Sequence, residues 1–206
     1  MKASVLILAT RYDTASYYTY QWAKGLQENL VKLGHKCLLL DGVGLYLAGS
    51  GLDKAISYVD YVVFYGHGEA DEWTALSASG GGSSVPLINV SSVSLLQGRK
   101  VYAGCCSSAD QLGVAYAQQF NSGEYIGYYK QFSFELVNQN YFRDVVNQSV
   151  IAFVRGDSAS TVVHNLTKEW MSLRDNFHSG SLKHCPNAAM ASYMADCNRK
   201  YVQHIP

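Results

Sequence analysis

Two residue types that together can attack a carbonyl group stand at the ends of apolar segments of the chain. His67 follows the apolar residues 61–65, and two adjacent cysteines, Cys105 and Cys106, follow the apolar residues 101–104. A thiol becomes a strong nucleophile only as the thiolate, and a histidine within hydrogen-bond reach can take or hold its proton. The sequence therefore predicts nucleophilic chemistry at a cysteine assisted by His67.

The glycines on either side of His67 have a separate use. Without a Cβ atom, the backbone at Gly68 can approach a substrate carbonyl and direct an N–H group at the oxyanion that develops there. We expect the N–H groups of Gly68 and Cys106 to hold this oxyanion. Taken alone, a histidine after a strand is more often a hydrogen-bonded turn residue, and a buried cysteine is usually part of a core. The pair is more informative than either residue.

The two adjacent thiols are not equivalent. Successive side chains of an extended segment point in opposite directions, so only one of Cys105 and Cys106 should face His67. The other thiol is expected to pack as a small hydrophobic group.

The elements that position these residues follow from an alternation of apolar runs with amphipathic segments. This pattern predicts an α/β fold in which helices cover both faces of a mostly parallel sheet. Because parallel strands need crossover helices, the carboxyl ends of the first four strands should meet at one edge and bring His67 and the cysteines together. Strands are expected at residues 5–9, 37–40, 61–65, 101–104 and 125–129. Helices are expected from the polar turn 10–16 to Gly34, around 52–59, 91–97 and 110–120, and at 142–156, 158–177 and 188–201.

One segment has no hydrophobic periodicity. Residues 77–86, SASGGGSSVP, consist almost entirely of small residues. We expect a mobile loop that is poorly ordered without substrate and closes over the cleft. The remainder should form a single domain over 1–206, with a helical C-terminal extension at about 178–206.

Composition restricts the class of partner. The 206 residues carry 16 Lys and Arg against 16 Asp and Glu, with no basic run, so nucleic acid is not an expected partner. No apolar stretch reaches the roughly 20 residues of a membrane-spanning helix, and the early run 3–9 is too short for a signal peptide. The 5 cysteines lack disulfide-scaffold spacing and are interpreted as reduced thiols. We expect a cytoplasmic domain that does not bind membranes.

The last thirty residues contain histidines and cysteines that could in principle bind zinc. Their spacing gives neither a C-x-x-C nor an H-x₃₋₅-H pair, so scattered surface residues are the simpler interpretation. No metal and no other cofactor are expected. The residues concerned are His178, His184, Cys185, Cys197 and His204.

The sequence resembles the caspase-like cysteine peptidases, a group that includes caspases, legumains, separases and bacterial CHAT-domain peptidases. Their shared pattern is an apolar strand ending in His-Gly, then a second apolar strand ending in a small residue and the catalytic cysteine. Residues 61–68, YVVFYGHG, are similar to the first half, and residues 101–106, VYAGCC, to the second. The Tyr-Gly-His-Gly and Cys-Ser-Ser strings look most like separase and CHAT-domain members. The resemblance covers roughly residues 4–177.

This resemblance implies a caspase-like three-layer sandwich and a cysteine endopeptidase that cleaves a protein or peptide substrate through an acyl-thioester. It implies Cys106 as the nucleophile, because Cys105 then occupies the slot that holds a small residue in similar proteins. His67 would serve as the general acid–base. Stand-alone relatives are often controlled by neighbouring proteins, so a regulatory partner protein is a further expectation.

The resemblance also suggests a substrate preference. Related peptidases select a charged or polar residue before the scissile bond, and acidic side chains near strand ends select Lys or Arg. Asp13, Glu69 and Asp110 are the acids available here, so we expect them to bind the substrate and favour cleavage after a basic residue.

Two other functions remain open. One is a caspase-like binding or scaffold module that has lost turnover, and the other is a different amide hydrolysis, such as deamidation, by a reactive cysteine on a flavodoxin-like sheet. A thiol-directed probe discriminates the first of these from an enzyme, because a scaffold needs no reactive cysteine.

Overall fold

The computed structural model describes residues 2–41, 51–76, 84–120 and 124–206. In chain order, the strands are β1 (Ser4–Ala9), β2 (Lys36–Asp41), β3 (Tyr61–Tyr65), β4 (His67–Gly68), β5 (Glu72–Leu76), β6 (Ser84–Asn89), β7 (Lys100–Gly104), β8 (Tyr125–Tyr128) and β9 (Val202–Ile205). A 6-stranded sheet has the order β2-β1-β3-β7-β8-β9, and a 3-stranded antiparallel sheet has the order β4-β5-β6.

Helices cover both faces of the larger sheet. They are α1 (Thr14–Lys32), α2 (Leu52–Ser57), a 3₁₀ helix (Val90–Leu96), α3 (Gln111–Gln119), α4 (Gln139–Val154), α5 (Ala159–His178) and α6 (Ala188–Tyr201). Helices α1, α4, α5 and α6 contribute to the apolar core on one face, and α2, α3 and the 3₁₀ helix contribute to the core on the other. The predicted α/β class, with helices on both sides of a mostly parallel sheet, is confirmed.

The strands that lead to the cysteines and His67 lie at the centre of this sheet. Strand β1 pairs in parallel with β2 and β3, and β3 pairs in parallel with β7. Val62, Val63 and Phe64 of β3 are fully buried, as expected for a strand covered on both faces. The predicted parallel pairing of the first four strands of this sheet is therefore confirmed.

The small antiparallel sheet was not predicted. Residues 84–86 of the expected loop 77–86 belong to strand β6, and residues 77–83 lie outside the described residues. The loop prediction was therefore wrong for 84–86. Trp73 on β5 and Ile88 on β6 are fully buried, and the strands pair through Trp73 and Ile88, so two large apolar side chains outweigh the loop-like composition nearby.

The C-terminal segment contains both a predicted helix and an unpredicted strand. Helix α6 spans the expected residues, and β9 follows it directly and pairs antiparallel with β8. The sequence pattern predicts only the helix, because four residues are too few to show a strand periodicity. Strand β9 thus lies at the edge of the main sheet beside β8.

Two features of the structure concern the state of the cysteines and the length and apolar character of the helices. All five cysteines are free thiols. Within the described ranges, none of the helices combines the length and the apolar character needed to cross a membrane.

Candidate active site

His67 and Cys106 lie beyond the carboxyl ends of adjacent parallel strands. In the register of β3 and β7, Tyr65 is paired with Gly104. His67 and Cys106 each follow two residues later, and both line one groove of about 370 Å³. The parallel register thus delivers an imidazole and a thiol, separated by 39 residues of chain, to the same groove.

The His67 ring is held by an acid on the neighbouring loop. Its Nε2 atom lies 2.7 Å from Oδ2 of Asp13. The ring of Tyr12 is tilted against it at 5.4 Å between centroids, and the Thr74 hydroxyl donates to the His67 carbonyl at 3.2 Å. Among the described residues no group bonds the Nδ1 atom, so Nδ1 is the nitrogen left to exchange a proton with a substrate or a thiol.

Asp13 is held by the start of helix α1. It is the N-cap residue, and its Oδ1 atom accepts from both the N–H and the hydroxyl of Ser16 at 2.8 Å. Burial raises the pKa of Asp13, but the hydrogen bonds from Ser16 and the bond to His67 outweigh it and leave this pKa below its ordinary value. One carboxylate oxygen therefore caps the helix while the other orients His67.

The Cys106 thiol is half-buried and points to the loop after β8. Its sulfur donates to the carbonyl of Phe132 at 3.4 Å. Burial raises the pKa of Cys106 and the negative charge of Glu69 raises it further, while hydrogen bonding with the backbone of Phe132 and of Cys106 itself opposes this. In the free protein at neutral pH the sulfur is therefore a protonated thiol, which needs a base before it can attack.

The neighbouring thiol has a different setting. The side chain of Cys105 is 0% exposed and belongs to the core on the α2 and α3 face of the sheet. A Cβ atom added to Gly68 would lie 2.7 Å from the Cys105 sulfur and 2.7 Å from the Cys106 carbonyl oxygen. Burial raises the pKa of Cys105 well above its ordinary value. Cys105 is therefore a packing residue under Gly68, and the groove contains only Cys106 of the pair.

The turn that follows the two thiols contains a strained residue and is held by several hydrogen bonds. Ser107 has φ 51°, a left-handed conformation that non-glycine residues rarely adopt. Its N–H donates to the Lys130 carbonyl at 2.8 Å, and the Ser108 hydroxyl lies 3.1 Å from the carbonyl oxygens of Ala103 and Cys105. Strained backbone that is held by its surroundings is concentrated at functional sites. Here the turn bends the chain so that Cys106 leaves the sheet beside the groove.

Three elements contribute the rest of the groove. Helix α1 contributes one wall, the loop after β8 contributes the other, and Met194 of α6 lies beside that loop. Asn198 of α6 is fully buried and fixes the loop, because its side chain accepts from the Ser133 N–H at 3.0 Å and donates to the Ser133 carbonyl at 2.8 Å. Glu135 accepts from Asn187 and so ties the same loop to the start of α6.

The other predicted substrate-binding acids lie outside the lining of the groove. Glu69 is exposed on the turn before β5, where its N–H donates to the Glu72 carbonyl. Asp110 precedes helix α3, and its N–H donates to the Ser107 carbonyl. Neither is among the residues that line the groove, and Asp13 reaches it only through its bond to His67.

Three residues that hold this site, Ser16, Phe132 and Asn198, were not predicted from the sequence. The D-x-x-S spacing of Asp13 and Ser16 is a helix N-cap signal and was readable, although nothing in it indicates the bond to His67. Phe132 and Asn198 carried no signal, because each acts through contacts 26 or 65 residues away in the chain. Among the described residues, no group of three or more His, Cys, Asp or Glu is arranged to hold a metal ion.

Comparisons with known proteins add a distant likeness. No protein-family model matches the chain, and no curated protein matches its sequence. Among solved structures, it is similar to the Arg-specific cysteine proteinase gingipain R (RgpB), with a TM-score of 0.48 and 13% sequence identity. The overlap covers 70% of this chain and 36% of that chain, so this chain spans about a third of that structure. The chemistry of the groove therefore has to be argued from the residues that line it.

Proposed function

We propose that the chain is a cysteine peptidase of the caspase-like type, with Cys106 as nucleophile, His67 as general acid–base and a peptide or protein as substrate. The observation that carries the proposal is that His67 and Cys106 line one groove beyond the ends of adjacent parallel strands. The order of a His-Gly strand end and a Cys strand end along the chain supports the caspase-like assignment.

The first half of the reaction uses the free nitrogen of His67. Nε2 is bonded to Asp13, so Nδ1 accepts the proton of the Cys106 thiol as the sulfur attacks the substrate carbonyl carbon. A C–S bond forms, and the carbonyl electron pair moves to the oxygen. When the C–N bond breaks, His67 returns the proton to the leaving amine, and an acyl-thioester remains on Cys106.

The second half releases the acid. Water attacks the thioester carbon and gives its proton to His67, and the C–S bond then breaks. The sulfur leaves with the electron pair and recovers the proton from His67, so the free thiol and a carboxylic acid product are formed. Asp13 is a positioning residue in both halves, because its ionised oxygen holds the ring and stabilises the imidazolium.

Backbone N–H groups near the sulfur support the oxyanion part of the proposal. Within the described chain, no backbone carbonyl accepts from the N–H of Cys106. The absence of a side chain at Gly68 lets this backbone come close to Cys106, since an added Cβ atom would lie only 2.7 Å from the Cys106 carbonyl oxygen. We assign the N–H groups of Cys106 and Gly68 to the oxyanion.

An activity probe tests the proposal. A peptidyl acyloxymethyl ketone should modify Cys106, and a mixture of peptide substrates should be cleaved. Cys106→Ala should abolish both, whereas the matched Cys105→Ala variant should retain most activity, because Cys105 does not face the groove. A reactive Cys106 without peptide cleavage would favour another amide hydrolysis. An unreactive Cys106 in a folded protein would favour the binding or scaffold module.

A further inference from the structure

The groove beside Cys106 is lined almost entirely by uncharged groups. Apart from His67 and Cys106, none of the described residues that line it has an ionisable side chain. Its volume of about 370 Å³ is within the range of pockets that bind small ligands or side chains. Because the groove contains both His67 and Cys106, a substrate side chain seated in it would be close to the scissile bond.

The polar side chains on the α1 wall are already satisfied within the protein. The Ser16 hydroxyl donates to Asp13 at 2.8 Å, and the Thr19 hydroxyl donates to the Ser16 carbonyl at 3.1 Å. Both hydroxyl protons are therefore used within the protein. With Ala15 as its third residue, this wall contributes no charged side chain and no unused hydroxyl donor to the groove.

The opposite wall is mostly aromatic and aliphatic, and Gln131 and Ser133 are its polar residues. Phe134 packs on Trp22 at 4.6 Å between ring centroids, and Phe132 packs edge-on to the same ring at 6.4 Å. Such ring contacts hold this wall of the groove in place. Leu136 and Met194 lie at its margin, and a methionine can adapt its unbranched side chain to different apolar partners.

The acids expected to select a basic residue are not placed to do so. Asp13 is committed to Ser16 and His67, and Glu69 is an exposed side chain outside the groove lining. An ionised side chain buried without a partner is costly, so a Lys or Arg in this groove would lose hydration without gaining a salt bridge to any residue that lines it. The same argument disfavours Asp and Glu.

We infer that the groove selects peptides with an uncharged, apolar residue such as Leu, Met or Phe next to the scissile bond. This inference rests on the proposed function and replaces the expected preference for basic residues. Leu136 and Met194 are the residues assigned to this selectivity, since both reach the groove from its margin.

The test uses three acyloxymethyl ketone probes that differ only in the residue before the reactive group, which is Leu, Arg or Asp. The Cys106 sulfur bonds to the methylene carbon of the probe, the carboxylate leaves with its electron pair, and the thiol proton passes to His67. Mass spectrometry of the intact protein gives the labelling rate at Cys106. We expect the Leu probe to react about tenfold or more faster than the other two, a discrimination usual for apolar pockets.

The outcomes separate this inference from the proposal beneath it. Labelling of Cys106 by the Arg or Asp probe as fast as by the Leu probe would overturn the preference and leave the peptidase proposal standing. If no probe modifies Cys106, the peptidase proposal fails and the inference fails with it.

A pair of variants that each introduce a negative charge tests the assignment of Leu136. Leu136→Glu should raise the rate ratio of the Arg probe to the Leu probe by about tenfold, because it supplies the missing partner in the groove. The control, Val137→Glu, adds the same charge at an adjacent exposed residue outside the groove and should leave the ratio unchanged. Equal effects of both variants would attribute the change to overall charge and contradict the assignment.

A second pair of variants tests the selectivity from helix α6. Met194→Lys should raise the rate ratio of the Asp probe to the Leu probe, whereas Met190→Lys, on the exposed surface of the same helix, should leave that ratio unchanged. An unchanged ratio in both Leu136→Glu and Met194→Lys, with circular dichroism showing a folded protein, would overturn the inference.

Discussion

Cys105 and Cys106 are adjacent in the chain and lie in opposite environments. Cys105 is sealed in the core under Gly68, whereas Cys106 lines a groove together with His67. The pKa of both thiols is raised by burial, yet only Cys106 has a potential proton acceptor in its groove. Burial without a nearby base makes a cysteine inert, so the surroundings, and not the residue type, separate a packing thiol from a candidate nucleophile.

The separation is made by the backbone just after β7. Strand alternation turns one thiol inwards and the next outwards, and the left-handed Ser107 then bends the chain away from the sheet. The bonds of Ser108 to the carbonyl groups of Ala103 and Cys105 fix this turn. A difference of one residue in register would exchange the two environments.

The largest expected difference is in alkylation. In the native protein, iodoacetamide should modify Cys106 and leave Cys105 untouched, with Cys105 reacting only in denaturant. Because burial raises the pKa of Cys106, its rate should increase with pH through and beyond the ordinary range of a cysteine. Cys37, whose pKa burial raises to about 12, is a comparator that should react slowly. Peptide mapping measures all three, and equal rates at Cys105 and Cys106 would contradict the comparison.

Removal of the base should have the next largest effect. His67→Ala should lower peptide turnover about 10²–10⁴-fold, which is the usual contribution of general acid–base catalysis. Alkylation of Cys106 at high pH should be nearly unchanged, since the thiolate then forms without help. The two rates are measured on one preparation, and a parallel loss of both would indicate a damaged fold instead of a missing base.

Loss of the acid that holds His67 should have a smaller effect. Asp13→Asn should lower kcat roughly 10-fold to 100-fold, less than a buried triad carboxylate, because Asp13 and His67 are both nearly half-exposed. Asp60→Asn is a matched control, since Asp60 also accepts from a serine N–H and hydroxyl, those of Ser4, but lies away from the groove. An equal decrease in both variants would argue against a positioning role.

The same carboxylate has a predictable pH signature in stability. The pKa of Asp13 is depressed in the folded protein, so its bonds stabilise the fold above the ordinary carboxyl pKa. This contribution is lost as the pH falls through the folded-state value. The stability difference between the wild type and Asp13→Asn should therefore narrow in acid, which urea unfolding at several pH values would measure.

The smallest expected effect is on packing between the thiols and the histidine strand. Gly68→Ala would place a methyl group against the Cys105 sulfur and the Cys106 carbonyl, which should cost about 1–3 kcal/mol and reduce activity. Gly25→Ala is the control, because nothing lies within 4 Å of its added Cβ in helix α1 and the change should stabilise by up to about 1 kcal/mol. Thermal unfolding distinguishes the two, and an unchanged Gly68→Ala variant would contradict the close approach.

The sequence predicted those parts of the molecule whose signals are local. The buried runs of β1, β3 and β7 and the apolar stripe of α1 follow from composition and period, and Gly34, where α1 was expected to end, has φ 87°. The meeting of His67 and Cys106 in one groove then follows from parallel pairing. These features could be predicted without knowledge of distant contacts.

The rest of the molecule depends on contacts that no local pattern encodes. The pairing of Trp73 with Ile88 overrides a stretch of small residues, and β9 is recognisable only beside β8. The bond between Asp13 and His67 joins residues 54 apart in the chain, so the sequence predicted a substrate-binding acid where the structure has a hydrogen-bond partner of His67. This long-range hydrogen bond orients His67 in the groove.

The two hydrogen bonds between Asn198 and the Ser133 backbone join a loop to a helix that is synthesised much later. A chain is synthesised from its N-terminus, and the strands that carry His67 and Cys106 emerge well before α6. Until Asn198 is available to bind both backbone groups of Ser133, the loop after β8 has no partner for them. The second wall of the groove therefore cannot be fixed until α6 has been synthesised, and we expect the proposed selectivity to be completed last.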